Sequence, residues 1–118
     1  MTRMHIAAAI TLALAWLAGA AGDEFSRDNS EPVTHIIVIE QMKFVPEQIT
    51  VSPGDSVKWI NRDEIIHDIA EKENNLWRSE QLEKGESHAI RVDTDTDYYC
   101  TLHPVMQGRI YITRNHNK

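Results

Sequence analysis

The sequence predicts an all-β domain, an antiparallel sandwich or barrel of short strands. Three observations carry this. No long helical period runs through the chain once its apolar N-terminal stretch is past. Short stretches either alternate apolar with polar residues or are rich in β-branched ones, as strands are. Turn signals separate them at regular spacing, the pattern of a sandwich or barrel.

Val33 to Glu40 is the first strand, rich in β-branched residues. Gln48 to Val51 alternates, with Ile49 and Val51 on one side. Pro53-Gly54-Asp55 is a strong turn, because proline presets φ and glycine accepts a positive one. Ser56 to Asn61 alternates again, with Val57, Trp59 and Asn61 sharing a face. Ile65 to Ala70 is a further short strand. Polar Glu71 to Leu82 holds a helical turn or an irregular loop, with Leu76 and Trp77 as isolated anchors. Glu83-Lys84-Gly85 is a turn, His88 to Val92 a strand, and Asp97 to Cys100 and Arg109 to Thr113 close the domain.

The chain has 118 residues, a one-domain length that buries a core without disulfide staples. Its single cysteine, Cys100, cannot form an internal disulfide. Residues 1–20 read as a secretory signal. Arg3 supplies the positive charge, Ile6 to Leu17 is apolar apart from Thr11, and Ala18-Gly19-Ala20 offers a small-x-small cut after Ala20. The apolar run is 12 residues, short for a bilayer, so cleavage is favoured over retention as an anchor. Residues 21–32 are expected to be a flexible leader, 33–114 the domain, and 115–118 a tail. In an exported protein a lone cysteine is a free thiol, an intermolecular partner or a metal ligand.

The formal net charge is −6, one unit more negative once the signal and Arg3 are removed. Nucleic acid calls for basic patches, so that class of partner is excluded. The acidity suits a soluble, monomeric protein.

The chemistry concentrates in Cys100-Thr101-Leu102-His103-Pro104-Val105-Met106. A thiolate, an imidazole and a thioether stand three residues apart, so a tight loop can turn all three toward one point. Pro104 stiffens that loop and Gly108 relieves the backbone where the next strand starts. Soft sulfur donors favour copper, and two imidazoles with one thiolate and a weak axial methionine make a blue-copper electron-transfer site. That arrangement needs a second histidine. His67 is the candidate, flanked by Ile65, Ile66 and Ile69 in an apolar setting that would shield a metal. Taken singly, Cys100 reads as a buried inert thiol, His67 as a core histidine and Met106 as packing. The joint spacing favours the metal site. A Cys/His nucleophile lacks an acid partner and an oxyanion element here. Structural zinc prefers four strong ligands and seldom uses methionine. His35, His88 and His116 are expected to be solvated.

These residues resemble the cupredoxins, the amicyanin-type ones most closely, over roughly Met42 to Thr113. Phe44, Pro46, Ile49, Val51, Gly54 and Asp55 resemble the family's F-x-P-x-x-I-x-V-x-x-G-D block, and Val57 to Asn61 its V-x-W-x-N strand. Cys100 to Met106 resembles its short C-T-x-H-P-x-M loop. The resemblance implies an eight-stranded Greek-key sandwich. It implies a single type 1 copper ion held by His67, Cys100 and His103, with Met106 as the weak axial ligand. It implies His103 as the exposed electron gate within an apolar docking patch of Met42, Leu102, Pro104 and Val105. By analogy the partners would be a periplasmic dehydrogenase as donor and a c-type cytochrome as acceptor, and the protein itself would not be an enzyme.

The sequence departs from this pattern in places. Asp68 stands where asparagine is usual, facing Thr101, and its charge would lower a copper potential. Thr94 and Thr96 replace a Gly-x-Tyr, which predicts a looser start to that strand. Leu102 replaces a frequent proline, and Glu71 to Leu82 lacks a detailed counterpart. The competing function is copper storage or delivery without electron transfer. Exposed Met/His clusters mark such proteins, and only Met42 and Met106 follow the signal.

Overall fold

The computed structural model describes residues 30–114. The signal with its cut after Ala20, most of the leader, the 115–118 tail and His116 lie outside the described residues. Eight strands follow in order: β1 Thr34–Glu40, β2 Lys43–Val45, β3 Gln48–Val51, β4 Ser56–Asn61, β5 Ala70–Glu71, β6 Ser87–Arg91, β7 Thr96–Tyr99 and β8 Gln107–Ile112. They form two four-stranded sheets, ordered β2-β1-β4-β6 and β3-β8-β7-β5. This is the all-β sandwich the sequence predicts.

The antiparallel expectation needs correction. β1 pairs with β4 in parallel, and β3 with β8 in parallel. A period of two fixes which side chains face inward but is blind to strand direction. Parallel neighbours need a long crossover, which β2, β3 and their turns supply between β1 and β4.

The inward faces meet as expected. Ile37 and Ile39 of β1, Val57 and Trp59 of β4, Tyr98 of β7 and Ile110 of β8 are all fully buried. Tyr98 stands edge-on to Phe44 at 4.9 Å and to Trp59 at 5.1 Å. Such edge-to-face contacts add to the hydrophobic burial. Gly108 sits opposite Tyr98 in the β7–β8 ladder. A Cβ there would meet the Tyr98 ring at 2.2 Å. Gly108 is therefore required by the Tyr98 ring, and not by the backbone relief inferred from sequence.

Ile65 to Ala70 is not a strand. Only Ala70 and Glu71 form β5, and His67 makes an isolated bridge to Leu82. Apolar content there reflects mixed exposure, since Ile65 and Ile66 face solvent while Ile69 is buried. Residues 72–82 contain no helix and run back along 67–71. Trp77 O accepts from Glu71 N–H, Ile69 O from Ser79 N–H, and His67 and Leu82 bond reciprocally. Both oxygens of Glu71 accept backbone N–H groups of this segment, from Glu73, Asn74 and Leu76. Trp77 packs at 5.9 Å from Trp59 and stacks on His88, so His88 is partly covered rather than solvated. Leu76 is no anchor, being 76% exposed.

The start of β7 is tied down despite its missing Gly-x-Tyr. Thr96 Oγ1 donates to Thr94 O, and Asp95 accepts from Ile112 N–H. His35 is likewise engaged. Its Nε2 donates to Asp55 Oδ2 at 2.8 Å, and Asp55 also accepts the N–H groups of Val33 and Ser52.

Two outcomes follow from these contacts. Gly108→Ala should lose about 1–3 kcal/mol in denaturant unfolding through overpacking against Tyr98; an unchanged midpoint would show that the ring can move away. The His35 hydrogen bond, helped by the Val33 and Ser52 N–H groups, holds the Asp55 carboxyl below its ordinary 3.8. A depressed carboxylate stabilises the fold above its unfolded value and loses that contribution as pH falls through the lowered one. Below about pH 4 the stability of Asp55→Asn should thus vary less with pH than that of the parent. Equal pH slopes in acid unfolding would count against the clasp.

Candidate metal centre

One end of the sandwich gathers three of the predicted donors, His67, Cys100 and His103. Cys100 follows β7, and β8 begins just after Met106. The loop between them closes on itself. His103 N–H donates to Cys100 O, Met106 N–H to His103 O, and Cys100 N–H to Met106 O. These bonds set the three-residue rhythm seen in the sequence. His67 comes from the other loop, placed by its two backbone bonds to Leu82.

Sγ of Cys100 lies 3.7 Å from Nδ1 of His67 and 3.7 Å from Nδ1 of His103. The donor atoms of these three residues all lie within 4.8 Å of one another. Metal–thiolate and metal–imidazole bonds of about 2.3 and about 2.0 Å, separated by 120°, put sulfur and nitrogen about 3.7 Å apart. Both sulfur–nitrogen sides of the triangle therefore fit a trigonal metal ion. Met106 is buried in the same loop. Burial pushes the Cys100 thiol above its ordinary value of 9.0, so it holds its proton at neutral pH unless a cation displaces it. Asp68 N–H points at Sγ from 3.5 Å.

His67 is fully buried, and His103 is partly exposed. Around His103, Leu102, Pro104 and Val105 face solvent, Val105 at 86% exposure. Met42 lines a cleft together with Val105 and Met106. The apolar rim expected from the resemblance is thus assembled, and the exposed Ile65 and Ile66 add to the apolar surface of the His67 loop.

Asp68 faces Thr101 as expected. Its Oδ1 accepts the Thr101 N–H at 2.6 Å and its Oδ2 accepts the Thr101 hydroxyl. Arg78 also reaches Oδ2, with Nη2 at 2.7 Å and Nε at 2.9 Å. Burial alone would raise the Asp68 carboxyl, but Thr101 and Arg78 outweigh it and hold the group below 3.8.

Asp63 is the residue that the sequence reading missed. Its Oδ2 accepts from His67 Nε2 at 2.8 Å, which leaves Nδ1 free to face the metal position. Its oxygens also accept the N–H groups of Gln41 and Met42 at 2.7 and 3.0 Å. Those two residues form the β1–β2 turn, both with positive φ, 50° and 61°. Two-residue hairpins favour that conformation, usually with glycine or asparagine. Here the Asp63 carboxylate supports it from outside. Burial would raise Asp63, yet the Met42 and Gln41 N–H groups and His67 hold it below 3.8. Its spacing, four residues before His67, was the available sign. Asn61 completes the frame, donating to Ile65 O and Leu82 O while its Oδ1 accepts from Asp63 N–H.

Removing an outer partner of a ligating histidine typically costs 10–100-fold in metal affinity. Asp63→Ala should show a loss of roughly that size in competition with a chelator. An unchanged affinity would mean that packing alone orients His67.

Comparison with known proteins agrees with this geometry. The sequence matches the Cupredoxin-like domain family over residues 6–112. It is 27% identical to amicyanin from Paracoccus versutus, across 93% of this chain and 94% of that protein. It is 26% identical to amicyanin from Paracoccus denitrificans, across 89% and 91%. The crystal structure of Paracoccus versutus amicyanin superposes with a TM-score of 0.63 at 29% identity, covering 71% of this chain and 83% of that one. A reduced Cu(I) form of an amicyanin variant gives 0.64 at 26% identity, covering 68% and 82%. Matched over most of its length and folded as the same sandwich, this chain belongs to the cupredoxin family.

Proposed function

We propose that this chain is a periplasmic blue-copper electron carrier and not itself an enzyme. The observation that carries the reading is the donor triangle, one thiol sulfur with two imidazole nitrogens each 3.7 Å from it. His67, Cys100 and His103 would hold the ion, and buried Met106 in the same loop would offer a weaker fourth donor. Two imidazoles, a thiolate and a thioether are the donor set of blue-copper electron-transfer sites. Copper bound there supplies a one-electron Cu(II)/Cu(I) couple.

The chain's own residues do the rest. The hydrogen-bonded loop and the Asp63 and Asp68 carboxylates hold the donors in one arrangement, so little reorganises per electron. Buried His67 excludes water from one side. Partly exposed His103 offers a short route to the surface. The apolar rim of Leu102, Pro104, Val105 and Met42 can dock a redox protein without committing it to tight binding. Its partners are redox proteins, with a periplasmic dehydrogenase as donor and a c-type cytochrome as acceptor by analogy alone. Export rests on the N-terminal signal, with the domain at 33–114.

Loading the purified protein with Cu(II) should give an intense thiolate-to-copper band toward the red end of the visible spectrum, bleached reversibly by reductant. A pale complex that does not cycle would end the carrier reading in favour of storage or delivery. Cys100→Ser should abolish the colour and keep the fold, because Ile37, Ile39, Trp59, Tyr98 and Ile110 pack the core; surviving colour would unseat the ligand assignment.

A further inference from the structure

Asp68 poses an electrostatic problem that Arg78 answers. The carboxylate has 0% side-chain exposure and belongs to the residue next to His67. Its backbone N–H also faces the Cys100 sulfur. An uncompensated negative charge there would oppose the arrival of an electron at the metal. Arg78 meets Asp68 Oδ2 through both Nη2 and Nε, while its own side chain stays 55% exposed. Its backbone is fixed where it can do this. Arg78 bridges Ala70, and neighbouring Ser79 bonds Ile69 through both its N–H and its hydroxyl oxygen. The return of residues 72–82 along 67–71 thus delivers one guanidinium to one buried carboxylate.

We propose that Arg78 is a positioning and charge-compensating residue of the copper centre. It cancels the charge of Asp68 and so keeps the reduction potential from falling. It also holds Asp68 on Thr101, which ties the Cys100 loop to the His67 loop. The inference rests on the copper-carrier reading and extends it to a residue whose guanidinium bonds Asp68.

The test compares the purified protein with Arg78→Met, Asp68→Asn and the double variant. The amide introduced by Asp68→Asn keeps an acceptor for the Thr101 N–H. Each copper-loaded protein is equilibrated at a fixed ambient potential, and the Cu(I) to Cu(II) ratio is read from the visible band. Arg78→Met should shift the ratio about tenfold toward Cu(II), about 59 mV for a one-electron couple. Asp68→Asn should shift it the opposite way. The double variant, again without net charge at the pair, should return to within about threefold of the parent. In the metal-free proteins, Arg78→Met should lower the unfolding temperature by roughly 5 °C, and adding Asp68→Asn should restore most of it.

A purely structural Arg78 would give single variants that shift the ratio in the same direction or not at all, and that overturns the inference. So does a double variant that fails to return. A parent protein with no intense band ends the carrier reading and this inference with it. A blue parent whose ratio is unmoved by Arg78→Met overturns the inference alone.

Discussion

Two loops far apart in the chain meet at a single buried carboxylate. Asp68 follows His67, and Thr101 follows Cys100; the bonds from the Thr101 N–H and hydroxyl to Asp68 hold the loops in register. The donor triangle depends on this junction. Two strong acceptor oxygens at a fully buried position cost too much to leave unsatisfied, so the carboxylate demands its partners and fixes their places. The donors are consequently held in one arrangement.

The same logic extends outward. Asp63 takes the far nitrogen of His67 and the two N–H groups of the left-handed Gln41–Met42 turn. One carboxylate thus sets the orientation of His67 and the shape of the hairpin that carries Met42 toward the rim. Asn61 joins that group to Leu82, whose backbone pairs with His67. Polar side chains build this end of the sandwich, while aromatic packing of Trp59, Tyr98 and Phe44 builds its middle. A polar frame satisfied bond by bond has few alternative arrangements, which suits a centre whose geometry should not change between oxidation states.

Much was legible because it depends on near neighbours. β3 and β4 have the bounds that their alternation predicts, since burial of every second residue leaves a local mark. The Cys100–His103–Met106 spacing was legible because one short loop holds all three. β2 was not, because three residues carry too little pattern. β5 was misplaced because Ile65 and Ile66 are apolar yet exposed. The segment from Glu71 to Leu82 read as featureless because backbone bonds and the Glu71 carboxylate order it, and neither has a hydrophobic period.

By itself the sequence determined the all-β class, the inward residues of the alternating strands and the Cys100–His103–Met106 spacing of the loop between β7 and β8. Each is encoded by side-chain type at a fixed short spacing. Tertiary structure alone decided the parallel pairings, the approach of His67 to Cys100, and the roles of Asp63 and Arg78. It also decided that Asp68 sits neutralised rather than as a free charge. These depend on which distant segments become neighbours, and a carboxylate or guanidinium has no local pattern that names its partner.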